Sequence, residues 1–149
     1  MSALEKVSFE ELYMQIQRRL SVEFRERLDK LVPGSQALIL GELISGGPQN
    51  ISALADGLGI TKGGVTGLSD KLVAGGLARR KRHEADRRVV FLEVTDEGRA
   101  VMRLYRQEIQ SSVKHIFACL SDDDMEHLIR IYQQVLNRLD GREEEEKAW

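Results

Sequence analysis

Cysteine is almost absent from this chain: Cys119 stands alone among 149 residues. A single thiol excludes an intramolecular disulfide framework and suits a reducing compartment. Long apolar runs are missing as well. The N-terminal MSALEKVSFEE has no apolar core of the kind a signal peptide needs, and no stretch approaches a membrane span. A cytoplasmic protein without membrane contact is therefore expected. Enzyme signatures are equally scarce. The glycines of TKGGVTG lack the GK[ST] ending of a nucleotide loop, and there is no nucleophile elbow or HExxH pair. His83, His115 and His127 fall on separate elements, so no catalytic centre, cofactor or metal is expected. There are no internal repeats and no low-complexity segments.

What is present is helix. With 42% apolar and 31% charged residues, the chain can bury a core and has no disorder signature. Ser8 and Glu11 form a capping box for a first helix, with Val7 and Leu12 placed as a hydrophobic staple. Apolar residues recur from Phe9 through Ile16 and Phe24 to Leu31, and Pro33–Gly34 is expected to end the helix. A second helix, about Ser35 to Ile44, should bury Leu38, Ile39, Leu40 and Leu43 before GGP stops it. Late in the chain, Thr95 with Asp96 and Glu97 caps a long helix striped by Val101, Tyr105, Ile109, Val113, Ile116, Phe117 and Leu120. Ser121 followed by three aspartates starts the last helix, which carries Leu128, Ile131, Tyr132, Val135, Leu136 and Leu139 to an expected stop at Gly141. The tail REEEEKAW reads as a frayed acidic run. The fold class is thus mainly α with a small β-wing. Expected divisions are a dimerisation helix at 1–32, a central region at 33–96, dimerisation helices at 97–141 and the acidic tail at 142–149. Long amphipathic helices at both chain ends suit packing against a second copy of the chain.

The central region carries the chemistry. Ser52 caps a short helix whose Leu54, Ala55 and Leu58 face inward, and Gly59 permits a left-handed turn. Thr61 caps the next helix, with Val65, Leu68, Leu72 and Val73 buried. Its opposite face presents Lys62, Gly63, Thr66, Gly67, Asp70 and Lys71. Two strands follow, Ala78 to His83 and Arg88 to Val94. This order is a helix-turn-helix with a β-hairpin wing, a device for placing a helix and a loop on duplex DNA.

The charge agrees with that order. Thr61 to Arg88 holds eight basic residues (Lys62, Lys71, Arg79, Arg80, Lys81, Arg82, Arg87, Arg88) against three acids, a net +5 inside a chain of net −2. Thr66 can reach base edges or a thymine methyl, while Lys62 and Lys71 can reach phosphates or guanine. Gly63, Gly64 and Gly67 are poor helix formers at about 1 kcal/mol each. Either the bare helix approaches the groove floor closely or it stays partly frayed until DNA orders it. An arginine at the wing tip, Arg88, suits the narrow minor groove of A·T-rich DNA, and Asp86 two residues earlier can orient it. Half of the Arg79–Arg82 run can be a solvated edge strand, because alternate residues point to opposite faces.

Gly34 to Arg99 resembles the MarR family of bacterial winged-helix transcription regulators. The likeness rests on LGITKGGVTGLSDKLVAGGLARR, on DRR at Asp86–Arg87–Arg88, and on VTDEG opening the following helix. The resemblance implies a triangular homodimer on an inverted-repeat operator in double-stranded DNA. It places the recognition helix in the major groove and Arg88 in the minor groove, braced by Asp86. Ser52, Thr61, Lys62, Gly63, Thr66, Gly67, Asp70, Lys71, Arg80, Arg82, Asp86, Arg87 and Arg88 make up the expected DNA-binding set. It also implies a repressor, nucleoid-associated in the cytoplasm, that releases DNA when a small aromatic or phenolic effector binds. Tyr13, Arg18, Tyr105 and His115 are the candidate liners of that effector site. The family's peroxide-sensing branch has a cysteine near the N-terminal helix, which is lacking here. His115 and Cys119, four apart, have ligand spacing on a helix, yet read as a surface or interface histidine and a packed cysteine. A winged-helix protein-interaction module is the alternative reading, but such a wing has no need of six cationic residues.

Overall fold

The computed structural model describes residues 7–147, with side chains through Gly141. The chain divides into two units, one ending at Ser111 and one beginning at Ser112.

The first unit opens with α1 (Phe9–Leu28), and the expected capping box is formed. Glu11 N donates to Ser8 Oγ at 3.2 Å, and Ser8 N donates to Glu11 Oε2 at 3.3 Å. The helix ends earlier than Pro33 suggests. Leu31 N and Val32 N both donate to the Leu28 carbonyl, a tight turn that buries Val32. Of α1 only Leu28 is buried, and Phe9, Leu12, Tyr13, Met14, Ile16 and Val22 lie exposed. α2 (Gly34–Gly46) buries Ala37, Ile39, Leu40 and Leu43, but Leu38 is 60% exposed. At 100° per residue Leu38 points away from the direction shared by the other four, so the expectation that it is buried is corrected.

α3 (Ile51–Leu58) is capped by Asn50, whose Oδ1 accepts from Ala53 N at 2.8 Å. Ser52, the expected cap, instead lies exposed inside the first turn. Capping needs extended backbone, and that conformation falls on Asn50 at φ −79°, ψ 166°. Gly59 takes the left-handed conformation (φ 66°, ψ 30°) as expected. α4 (Lys62–Ala74) starts at Thr61, whose Oγ1 accepts from Gly64 N at 3.0 Å. Val65, Ser69 and Leu72 are its buried residues, with Leu68 and Val73 half-buried against the core.

β1 (Ala78–Arg82) pairs antiparallel with β2 (Val90–Val94) in the register Ala78↔Val94, Arg80↔Leu92, Arg82↔Val90. A third segment joins them. Gln49 exchanges both backbone hydrogen bonds with Leu92, at 3.1 and 2.8 Å. One core, built from Ile39, Leu40, Leu43, Leu54, Val65, Leu72 and Leu92, fills the space between α2, α3, α4 and the hairpin. α5 (Asp96–Ile116) begins where Thr95 Oγ1 accepts from Gly98 N at 3.1 Å and donates to Gly76 O at 2.6 Å. Gly98 is buried there against the Leu77 carbonyl.

The second unit holds the end of α5 and α6 (Asp122–Lys147), capped by Ser121, whose Oγ accepts from Asp124 N at 3.1 Å. The expected stop at Gly141 is corrected, since the helix continues to Lys147. Gly141 is not among the positive-φ glycines, and a helical glycine costs only about 1 kcal/mol. The helix-forming REEEEK then carries it on; the tail's Ala148 and Trp149 lie outside the described residues. Ile131, Tyr132, Val135, Leu136 and Leu139 are all exposed on α6.

Candidate nucleic-acid interface

α4 and the hairpin present cations on one side of the first unit through a simple division of faces. Cross-strand partners share a face of a sheet. Arg80 and Arg82 therefore lie on the face of buried Ala78, Leu92 and Val94, toward α4. Arg79 and Lys81 lie on the other face, where Arg79 pairs with Glu93. The expected split of the basic run is realised in this way.

Lys62, Gly63, Thr66, Gly67, Asp70 and Lys71 are all exposed on α4, as the sequence predicts. Thr66 Oγ1 donates to Lys62 O at 2.9 Å, which commits its proton inside the helix. A Cβ at Gly63 or Gly67 would meet nothing within 4 Å, so internal packing is not what keeps these positions bare. Asp70 is not a free acid: Arg80 Nη2 donates to its Oδ1, which ties α4 to β1.

The tip is organised by local hydrogen bonds. Arg88 donates twice to Asp86 Oδ1, from its backbone N at 3.1 Å and from Nε at 3.3 Å. The Arg88 side chain is nonetheless 93% exposed. Arg82 Nη1 donates to Arg87 O at 3.0 Å across the loop, while Arg87's own side chain is exposed. His83 closes the other flank, accepting from Ala85 N at Nδ1 (3.1 Å) with its ring 5.6 Å from Phe91. Ser52 and Thr61 sit apart from this cluster, Ser52 on α3 and Thr61 spent as a cap. Asn50, Gln49 and Glu93 escaped the sequence reading. Only Asn50 left a signal, an Asx three residues before an orphan helical N–H.

Of the candidate effector residues, Tyr13, Arg18 and Tyr105 belong to the first unit and His115 to the second. Tyr105 lines an open cleft of about 370 Å³ with Ser21, Phe24, Arg25, Leu28 and Gly34. Partial burial, and after it the Asp29 carboxylate, push the Tyr105 hydroxyl above its usual pKa. Tyr13 and Arg18 lie exposed farther toward the α1 N-terminus and do not line the cleft. His115 is exposed near the end of α5. Cys119 is exposed, not packed as expected, because α5 ends at Ile116 and leaves it in the following turn. Among the described residues no group of three or more His, Cys, Asp or Glu side chains could hold a metal.

Two helices joined through a left-handed glycine, the second exposed and followed by a basic hairpin, define a winged helix-turn-helix protein. The MarR family model matches residues 32–89. BldR, a transcriptional regulator from Sulfolobus solfataricus, is 30% identical; the match covers 93% of this chain and 99% of that one, at a TM-score of 0.64. The HTH-type transcriptional regulator YpoP of Bacillus subtilis is 25% identical over 126 residues, 85% of this chain and 89% of that protein. The transcriptional repressor MprA of Escherichia coli is 23% identical over 145 residues, 95% of this chain and 82% of that protein. The chain belongs to the MarR family, whose members here are transcriptional regulators and not enzymes.

Proposed function

We propose that this regulator binds an inverted-repeat operator in double-stranded DNA as a homodimer, and represses transcription by occupying it. α4 enters the major groove and Arg88, braced by Asp86, enters the minor groove. The observation that carries this reading is the tip: a 93% exposed arginine held by a carboxylate two residues away. Holding a cation outward at that position has no use in the fold, and it suits the negative potential of a narrow groove. Lys62, Lys71, Arg82 and Arg87 supply phosphate contacts around it.

Dimerisation through residues 1–32 and 97–141, with 33–96 reading DNA, is supported by the apolar faces of α1 and α6. Each leaves five or more large apolar side chains exposed in a single chain. A patch of that kind marks an interaction surface. The Tyr105 cleft suits a small phenolic or other aromatic effector, with a polar hydroxyl beside Phe24 and Leu28. Such a protein works in the cytoplasm, on the nucleoid.

The test is selection of random duplexes by the purified full-length chain, followed by titration at fixed salt. An inverted repeat with half-sites about 10 bp apart is expected. Recovery of asymmetric sites would overturn the two-fold reading. Failure to retain any duplex would overturn DNA binding itself in favour of a protein-interaction module.

A further inference from the structure

The middle of the exposed face of α4 carries almost nothing that could read a base. Gly63, Gly67 and Asp70, at i, i+4 and i+7, run down its centre, opposite buried Val65, Ser69 and Leu72. Two of the three have no side chain, and the third is an acid facing a polyanion. Beside them, the Thr66 hydroxyl donates to Lys62 O, which leaves Thr66 its oxygen as an acceptor and its methyl for a thymine. An acid in that position repels phosphate unless something neutralises it. The neutralising group is Arg80, which comes from β1 and not from α4 itself.

The geometry of that pair leaves the arginine able to do more. Among the described residues only Nη2 is engaged, with Asp70 Oδ1. A guanidinium has five N–H donors in a fixed planar fork, so Nη1, Nε and the second Nη2 hydrogen remain available. The fork matches guanine O6 and N7, the acceptor pair that arginine reads most often in the major groove. Gly63 and Gly67, bare and uncrowded, allow the helix backbone to come near enough for a side chain rooted one element away.

We infer that Arg80, held at the centre of the recognition surface by Asp70, is the residue with which this protein reads a guanine in each half-site. Asp70 is then a positioning residue that contacts no base. The inference rests on the DNA-binding reading above.

The experiment compares wild type, Arg80→Lys and Asp70→Asn on the selected duplex, on the same duplex with each guanine replaced in turn, and on a scrambled duplex. Thermal melts show that each variant is folded. Arg80→Lys keeps the charge but loses the fork. Affinity for the scrambled duplex and the salt slope should stay within about two-fold, while preference for one guanine per half-site falls at least about 5-fold, because lysine reaches guanine as a point donor and not as a planar fork. Asp70→Asn should bind the scrambled duplex more tightly, since a negative charge is gone, yet lose preference at that same guanine. Restoring the carboxylate as Asp70→Glu should recover part of it. Unchanged base preference in both variants overturns the inference. Loss of preference in Asp70→Asn at a G·C pair other than the one affected by Arg80→Lys overturns it too, because Asp70 would then read a cytosine N4 directly. Wild type that binds no duplex removes the DNA reading and this inference together, whereas wild-type selectivity that survives Arg80→Lys removes only the latter.

Discussion

Replacing Gly98 by alanine adds one methyl group at a point where backbone already fills the space. The new Cβ would lie deep inside contact distance of the Leu77 carbonyl oxygen and 2.8 Å from Val94 Cγ2. Carbon pairs settle at about 3.5–4.0 Å, so both neighbours must retreat. Val94 has some freedom to do so. Leu77 has little, because its carbonyl also accepts from Thr95 N at 3.1 Å, and the carbonyl before it, Gly76 O, is bound by Thr95 Oγ1. Overpacking of this kind costs about 1–3 kcal/mol, and disturbing the Thr95 cap adds about 0.5–2 kcal/mol. Better helix propensity returns up to about 1 kcal/mol. The net expectation is a loss of about 2–3 kcal/mol, from the middle of those overpacking, capping and propensity ranges. Urea unfolding at fixed protomer concentration reads this as a midpoint lowered by roughly 1–2 M at unchanged slope. Gly141→Ala, with nothing near its Cβ, is the matched control and should be neutral or slightly stabilising. A Gly98→Ala protein within about 0.5 kcal/mol of wild type, the spread of an ordinary surface substitution, would show that Leu77 and Val94 give way to the methyl at no cost.

Gly67→Ala should have the opposite stability sign, gaining up to about 1 kcal/mol in open space. It should nonetheless weaken DNA binding if α4 approaches the groove closely; equal or tighter binding would show that the bare surface is not used. Asn50→Ala should cost about 1 kcal/mol by removing the α3 cap, while Ser52→Ala changes little; equal costs in the same melts would contradict the capping assignment. Asp86→Ala separates two readings by sign at one salt concentration. If Asp86 orients Arg88, affinity falls although the protein becomes more positive, and tighter binding would make Asp86 a passive surface acid.

Much of the fold was legible because the relevant chemistry is local. Ser8, Thr61, Thr95 and Ser121 each satisfy an N–H three residues on, and a spacing of three is visible in any sequence. Gly59 was legible for the same reason. The failures are positions where a local rule yields to context. Ser52 is a good cap residue, but Asn50 holds the extended backbone that a cap requires. Leu38 is apolar, yet belongs to the wrong side of α2. Gly141 is a helix terminator only when the chain turns left-handed, and here it does not. Within the candidate site, the Asp86–Arg88 contact spans two residues and could be anticipated. The Asp70–Arg80 pair spans ten and depends on the crossing of α4 and β1, which no single-chain pattern encodes.

The two hydrogen bonds between Gln49 and Leu92 set a boundary in stiffness along the wing. Below it, Leu92 is held by β1 on one side and by the segment leading into α3 on the other. Its amide should exchange only as slowly as the core opens. Beyond it, the loop from His83 to Val89 is tied, among the described residues, by hydrogen bonds within the hairpin alone. Amides there should exchange by local opening, at a small fraction of the global free energy. The entropy lost when a ligand orders this protein is therefore confined to a tip of about seven residues, at about 1–2 kcal/mol of backbone freedom each if they start fully free. The arm that carries the tip arrives already ordered. A substitution that loosens the Gln49 anchor would extend the freedom to the whole hairpin, and would weaken association through entropy while leaving every contacting side chain in place.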